Sequence, residues 1–182
     1  MKSLSLSQPH AIIMVGIPGS GKTFFASKFA ETFHAPYVSL ERILDAGPNE
    51  DAATVLAEQQ TKELLKTGAS VILELNTGTR TARTELARYV KTAGYTPLLI
   101  WVQTDTETSR QRYVRSKAKQ SAEFETQLQH FSPPHPTEHA VVISGKHTYA
   151  SQAKIVLKRL SAPRAEISSH KSPPTRSNIT VR

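Results

Sequence analysis

The chain has 182 residues, 38% hydrophobic and 21% charged, with apolar clusters from Ala11 to Leu160; this is the make-up of one globular domain and excludes a wholly disordered chain. The absence of cysteine rules out disulfides, thiolate metal sites and a thiol nucleophile and fits a reducing compartment. A net charge of +8 favours an anionic partner, whether nucleotide, phosphorylated metabolite, nucleic acid or acidic lipid, and it survives removal of the stretch after Ser161, which carries four basic residues against one acid.

The opening residues, MKSLSLSQPH, contain no continuous apolar segment, and the first apolar run is too short to span a bilayer. A cytoplasmic chain without signal or membrane anchor is the expectation. That first run, AIIMV at 11–15, is apolar throughout and ends at glycine, the pattern of a strand buried on both faces. Residues 22–33 then read as a helix, with Phe25, Phe29 and Phe33 recurring every fourth residue as an apolar stripe.

APYVSL at 35–40 is the second predicted strand. Residues 50–68 form a helix with Val55, Leu56, Leu64 and Leu65 turned inward and Gly68 as its C-terminal cap. SVILELN at 70–76 is short, β-branched and apolar, so it reads as a strand, and residues 79–94 return to helical spacing before ending at Gly94. TPLLIWVQ at 96–103 is the fourth strand, which makes Trp101 a core strand residue.

A strongly basic helix follows over 105–119, and SAEFETQLQHF at 121–131 is a further helix halted by the prolines of SPPHP. AVVIS at 140–144 gives the fifth strand, and residues 149–160 close the domain as an amphipathic helix. Nothing periodic remains beyond it, so the expectation is a nucleotide-binding domain over 1–160 and a disordered basic tail over 161–182. Strands that alternate with helices imply a parallel sheet covered on both faces.

The loop between the first strand and first helix, GIPGSGKT, matches G-x-x-x-x-G-K-[ST] through Gly16, Gly21, Lys22 and Thr23. Glycines let backbone N–H groups close around phosphate oxygens, and the positive end of the following helix adds to the attraction. Residues Gly16, Ile17, Pro18, Gly19, Ser20, Gly21, Lys22, Thr23 and Phe24 are therefore the expected nucleotide site. Lys22 would reach the β- and γ-phosphates, and the Thr23 hydroxyl would ligate Mg²⁺. His135 and His139 have i,i+4 spacing, but the surrounding prolines oppose a helix, so they are not expected to hold a metal.

With that loop, and with YVSLERI, VILELNTGTRTARTEL and VQTDTETSRQRYVRS after the next three strands, residues 10–160 resemble the P-loop kinases of the polynucleotide-kinase-like and zeta-toxin-like group, small "AAA family ATPases" without ring-forming machinery. The resemblance implies a three-layer α/β/α P-loop NTPase fold with about five parallel strands and a helical lid. It implies Mg·ATP as cofactor and transfer of the γ-phosphate to a hydroxyl of a small molecule or a nucleic-acid end by a monomer. A nucleotide-operated switch without acceptor chemistry is the alternative.

Residue by residue, the resemblance puts Glu41 where such kinases carry the aspartate that takes the acceptor proton, and Leu44 where some carry a phosphate-binding arginine. Glu74 stands in for a strand-end aspartate that serves Mg²⁺ or the acceptor, with Asn76 and Arg83 on the acceptor side and Arg80 a competitor for the latter role. Arg112 and Arg115, three apart on the basic helix and so on one face, resemble lid arginines that close over the triphosphate. Lys22, Glu41, Glu74, Arg112 and Arg115 form the expected catalytic set, and Thr23 and Glu74 the metal set.

Overall fold

A computed structural model describes residues 8–117 and 121–161, so all but Ser161 of the expected tail over 161–182 lies outside the described residues. The elements in chain order are β1 (His10–Val15), α1 (Lys22–Phe33), β2 (Tyr37–Ser39), α2 (Leu40–Asp45), α3 (Glu50–Leu65), β3 (Val71–Glu74), α4 (Arg80–Thr92), β4 (Thr96–Gln103), α5 (Thr106–Lys117), α6 (Ser121–Gln129), a 3₁₀ turn (Pro136–Glu138), β5 (Val141–Ser144) and α7 (Tyr149–Leu160). All strand pairs are parallel, and the sheet order is β2-β3-β1-β4-β5. The chain leaves β1 toward one edge and later returns toward the other. That reversal opens a crevice at the carboxyl end of β1, where open α/β sheets bind ligands.

The two faces of the sheet are set by alternation along β1. Ile12 and Met14 join Ile72, Ile100 and Ile143 beneath α1 and α7, whose Phe25, Phe29, Val156 and Leu160 complete one core. Ala11, Ile13 and Val15 face the other way, toward Ala57 and Leu65 of α3 and Val90 of α4. Because both faces are covered, β1 is buried from Ala11 to Val15, as its unbroken apolar run requires. A small third cluster of Ile17, Tyr113 and Phe124 fixes α5 and α6 against the loop after β1.

The phenylalanine stripe of α1 is present, with successive rings 5.4 and 4.6 Å apart. In α3 the inward face differs from expectation: Ala53, Ala57, Thr61 and Leu65 are buried at i,i+4 spacing, while Val55 and Leu56 are exposed. Small side chains let this helix lie close, so burial follows the helical face rather than side-chain size. α2 is a further departure. The second strand ends at Ser39, whose side chain accepts from the Arg42 N–H and turns the chain directly into a six-residue helix.

Candidate active site

The glycine loop lies at the crevice, and steric contact explains two of its glycines. A β-carbon on Gly19, where φ is +69°, would fall 2.1 Å from the Ser109 carbonyl oxygen of α5. One on Gly16 would fall 2.7 Å from the Val102 carbonyl oxygen. The bare backbone thus lets the loop seat between β4 and the lid helix. Lys22 folds back to donate from Nζ to the Ile17 carbonyl at 3.0 Å.

The start of α1 differs from the other well-defined helix starts. Ser39, Asn49, Thr79 and Thr148 cap α2, α3, α4 and α7 with side-chain acceptors, whereas Gly21 gives α1 none. The first N–H groups of that helix therefore need an outside acceptor, and a phosphate is the group such an end attracts. Ser20 Oγ is fully buried without a hydrogen-bond partner, so the loop also retains an unmet polar atom.

Thr23, in the first turn of α1, joins the two acidic positions. Its Oγ1 lies 2.7 Å from Oε1 of Glu74 and 3.0 Å from Oε2 of Glu41, bringing β3, α1 and α2 to one point. Glu74 is buried at the end of β3. Its other oxygen accepts from Tyr37 Oη and, at 3.1 Å, from Ser39 Oγ. Burial pushes the Lys22 ammonium below the ordinary lysine range, opposed by the charges of Glu74 and Glu41. Burial likewise raises the Tyr37 phenol, with the Glu74 charge adding to it, so Tyr37 stays protonated and able to donate.

The Thr23 hydroxyl and the Glu74 carboxylate, both oxygen donors, suit a hard divalent cation such as Mg²⁺, which prefers few protein ligands supplemented by phosphate and water. The uncapped helix start beside it suits the phosphates. The residues present therefore fit Mg·ATP. Among the described residues no group of three or more His, Asp or Glu side chains forms a separate metal site, and His135 instead caps the 3₁₀ turn.

Other expected site residues are placed as follows. Asn76 is exposed just past β3, while Thr77 next to it donates to the Met14 carbonyl at 2.7 Å and ties that loop to β1. Arg112 donates to the Gly145 carbonyl at 3.0 Å, and Gly145 in turn presses against the Ser20 carbonyl, so Arg112 lies one contact from the loop. Arg115 is exposed. Phe24 is 56% exposed, so only its backbone belongs to the cradle.

Arg83 does not sit where an acceptor could reach it. Its side chain is fully buried, paired with Glu138 through Nε and Nη2 at 2.7 and 2.9 Å, and it donates to the carbonyls of Thr77 and Ser132 at 3.1 and 2.9 Å. These bonds clamp the loop after β3 to the segment that returns from α6. Arg80, the competitor, is exposed and reaches Thr137. Tyr37 and Ser39 were not among the expected site residues; their only sequence signal is their place in the short strand facing β3.

A parallel sheet of order β2-β3-β1-β4-β5, with a glycine-rich loop at the C-terminal end of β1 and helices α5 and α6 packed against it, defines a P-loop kinase fold. The sequence pattern of the AAA domain family covers residues 12–134, two-thirds of the chain, and the chain belongs to that family. The fold is similar to that of a gluconokinase from Sinorhizobium meliloti, at TM-score 0.61 and 16% identity over 84% of this chain and 91% of that one. It is also similar to the Mycobacterium tuberculosis APS kinase CysC in complex with AMPPNP and APS, at TM-score 0.63 and 19% identity over 85% and 99% of the two chains. Chaetomium thermophilum Kti12 in complex with ADP-AlF3 compares at TM-score 0.63 and 17% identity over 82% and 96%. No curated protein matches the chain in sequence. Among the described residues no helix is long and apolar enough to cross a membrane.

Proposed function

We propose that the protein is a phosphotransferase that moves the γ-phosphoryl group of Mg·ATP to a hydroxyl of a small molecule or a nucleic-acid end. The observation that carries this reading is the Thr23 hydroxyl held between Glu74 and Glu41 at the uncapped start of α1. The similarity to a gluconokinase and to an APS kinase bound to AMPPNP supports it at the level of fold.

In this mechanism ATP supplies the transferable group, and Mg²⁺, which Thr23 and Glu74 would hold, would supply neutralising charge. The N–H groups of residues 19–23 bind the phosphates, and Lys22 exchanges the Ile17 carbonyl for a phosphate oxygen. An anionic phosphate offsets the burial that disfavours the Lys22 charge in the free protein. Glu41, at the first turn of α2, accepts the proton of the acceptor hydroxyl, and Asn76, exposed just past β3, orients that acceptor. Arg112 and Arg115 of α5 bring positive charge toward the transferring group when the lid closes. Positioning and charge neutralisation supply the rate, since phosphoryl transfer needs no covalent help from side chains.

Incubation with γ-labelled ATP and Mg²⁺ across pooled oligonucleotides and small hydroxylated metabolites tests this directly. Label should appear in one acceptor class, and Glu41→Gln should abolish that transfer while nucleotide binding persists. Release of labelled phosphate to water, with no acceptor labelled in any pool, would replace the kinase reading with that of a nucleotide-operated switch.

A further inference from the structure

We infer that Tyr37, supported by Ser39, is a positioning residue for the metal: the two hydroxyls of β2 hold the glutamate at position 74 so that its far oxygen meets Thr23. This rests on the Mg·ATP reading above and adds to it a pair of residues outside the loop, the acidic positions and the lid.

In the parallel pair of β2 and β3, Ser39 stands opposite Glu74 and Tyr37 opposite Ile72, so Tyr37 and Ser39 project from the same face, the one toward α1. Both hydroxyls donate to the same carboxylate oxygen, Oε2, leaving Oε1 to the Thr23 hydroxyl. A buried carboxylate is ordinarily held by a cation or by backbone N–H groups. Here all three hydrogen-bond donors are neutral, and no lysine or arginine pairs with Glu74 among the described residues.

Such a shell fixes direction without cancelling charge. It leaves the carboxylate beside the Thr23 hydroxyl with no ion-pair partner, met by the Lys22 ammonium only through space, an arrangement that suits a cation ligand better than a structural carboxylate. The Tyr37 ring is itself fixed from outside: the Arg42 guanidinium lies 4.9 Å over it and donates to Ser27 of α1 at 2.9 Å.

Side-chain length is part of the arrangement. An aspartate at position 74 would withdraw the carboxylate by about 1.5 Å, one carbon–carbon bond. It could not then span from the β2 hydroxyls to Thr23. The longer glutamate at this strand end and its tyrosine brace are thus one device, the brace removing the freedom that the added methylene introduces.

The test titrates Mn²⁺ against the protein with AMPPNP, reading nucleotide binding by calorimetry and bound Mn²⁺ by electron paramagnetic resonance. Tyr37→Phe keeps the ring and its stacking on Arg42, and it should raise the Mn²⁺ midpoint 10- to 100-fold, the range for lost outer-shell partners of a metal ligand. Its AMPPNP affinity without metal should stay that of the wild type. Glu74→Asp should also raise the midpoint, and Tyr37→Phe should add nothing further in a Glu74→Gln background.

An unchanged midpoint in Tyr37→Phe, an equal loss of metal-free affinity, or a lower midpoint in Glu74→Asp would each overturn the assignment. Absence of AMPPNP binding by the wild-type protein at any Mn²⁺ concentration would overturn the nucleotide reading itself, and the assignment with it.

Discussion

Glu74 and Glu138 are both shielded from solvent beside the loop after β3, yet they keep opposite company. Glu138 is locked to Arg83 in a two-pronged ion pair, with the remaining guanidinium bonds spent on backbone carbonyls. Glu74 is held by three hydroxyls and by no cation among the described residues. The first arrangement is complete in itself and joins two segments 55 residues apart in sequence. The second has charge left over, aimed at the start of α1. The difference separates a carboxylate whose charge is met by an arginine within the fold from one whose surroundings suit the metal-holding role proposed for it.

Breaking the closed pair should have the largest effect. Arg83→Met leaves Glu138 without its countercharge and frees the carbonyls of Thr77 and Ser132, so unfolding in urea should require about 3–5 kcal/mol less free energy. Equal stability of variant and wild type would make the pair dispensable and remove one side of the contrast.

The corresponding change at the open site should act on chemistry and spare the fold. Glu74→Gln removes a buried charge that lacks a salt-bridge partner; stability should hold or rise by about 1 kcal/mol, while phosphoryl transfer falls on the order of 100-fold. A destabilisation as large as that of Arg83→Met would show that Glu74 is structural after all.

Acid sharpens the same contrast more gently. The Arg83 guanidinium beside Glu138 holds its carboxyl below the usual carboxylate range. A depressed folded-state value means that the stabilisation is fully present above the unfolded carboxylate pKa of about 4.3 and is lost as pH falls through the folded value. Urea midpoints measured from pH 7 downward should therefore fall less steeply in Glu138→Gln than in the wild type. Parallel curves would mean that the pair adds nothing to acid sensitivity.

The open site was more legible in the sequence than the closed one. Gly16, Gly21, Lys22 and Thr23 announce themselves because backbone approach to phosphate demands those residue types at fixed spacing. β1 was readable because a strand buried on both faces must be apolar at every position. Arg83 resembled an acceptor contact because nothing local marks its partner; Glu138 is far along the chain, and only the return of the lid segment brings it close.

Tyr37 and Ser39 escaped notice for a related reason. Their meaning depends on the parallel register with β3, which three residues of strand do not reveal. The α3 face departs from the expected one because alanine marks close approach as well as leucine marks burial, and side-chain size alone picks out only the latter.

The central claim is that the loop over residues 16–23 is an anion cradle completed by a lysine whose charge burial disfavours until phosphate arrives. Calorimetric titration of ATP with Mg²⁺ into the wild-type protein and into Lys22→Ala measures this most directly. Saturable one-site uptake by the wild type and at least tenfold weaker uptake by the variant are expected. No heat of binding in the wild type, or equal affinity in the two proteins, would contradict it.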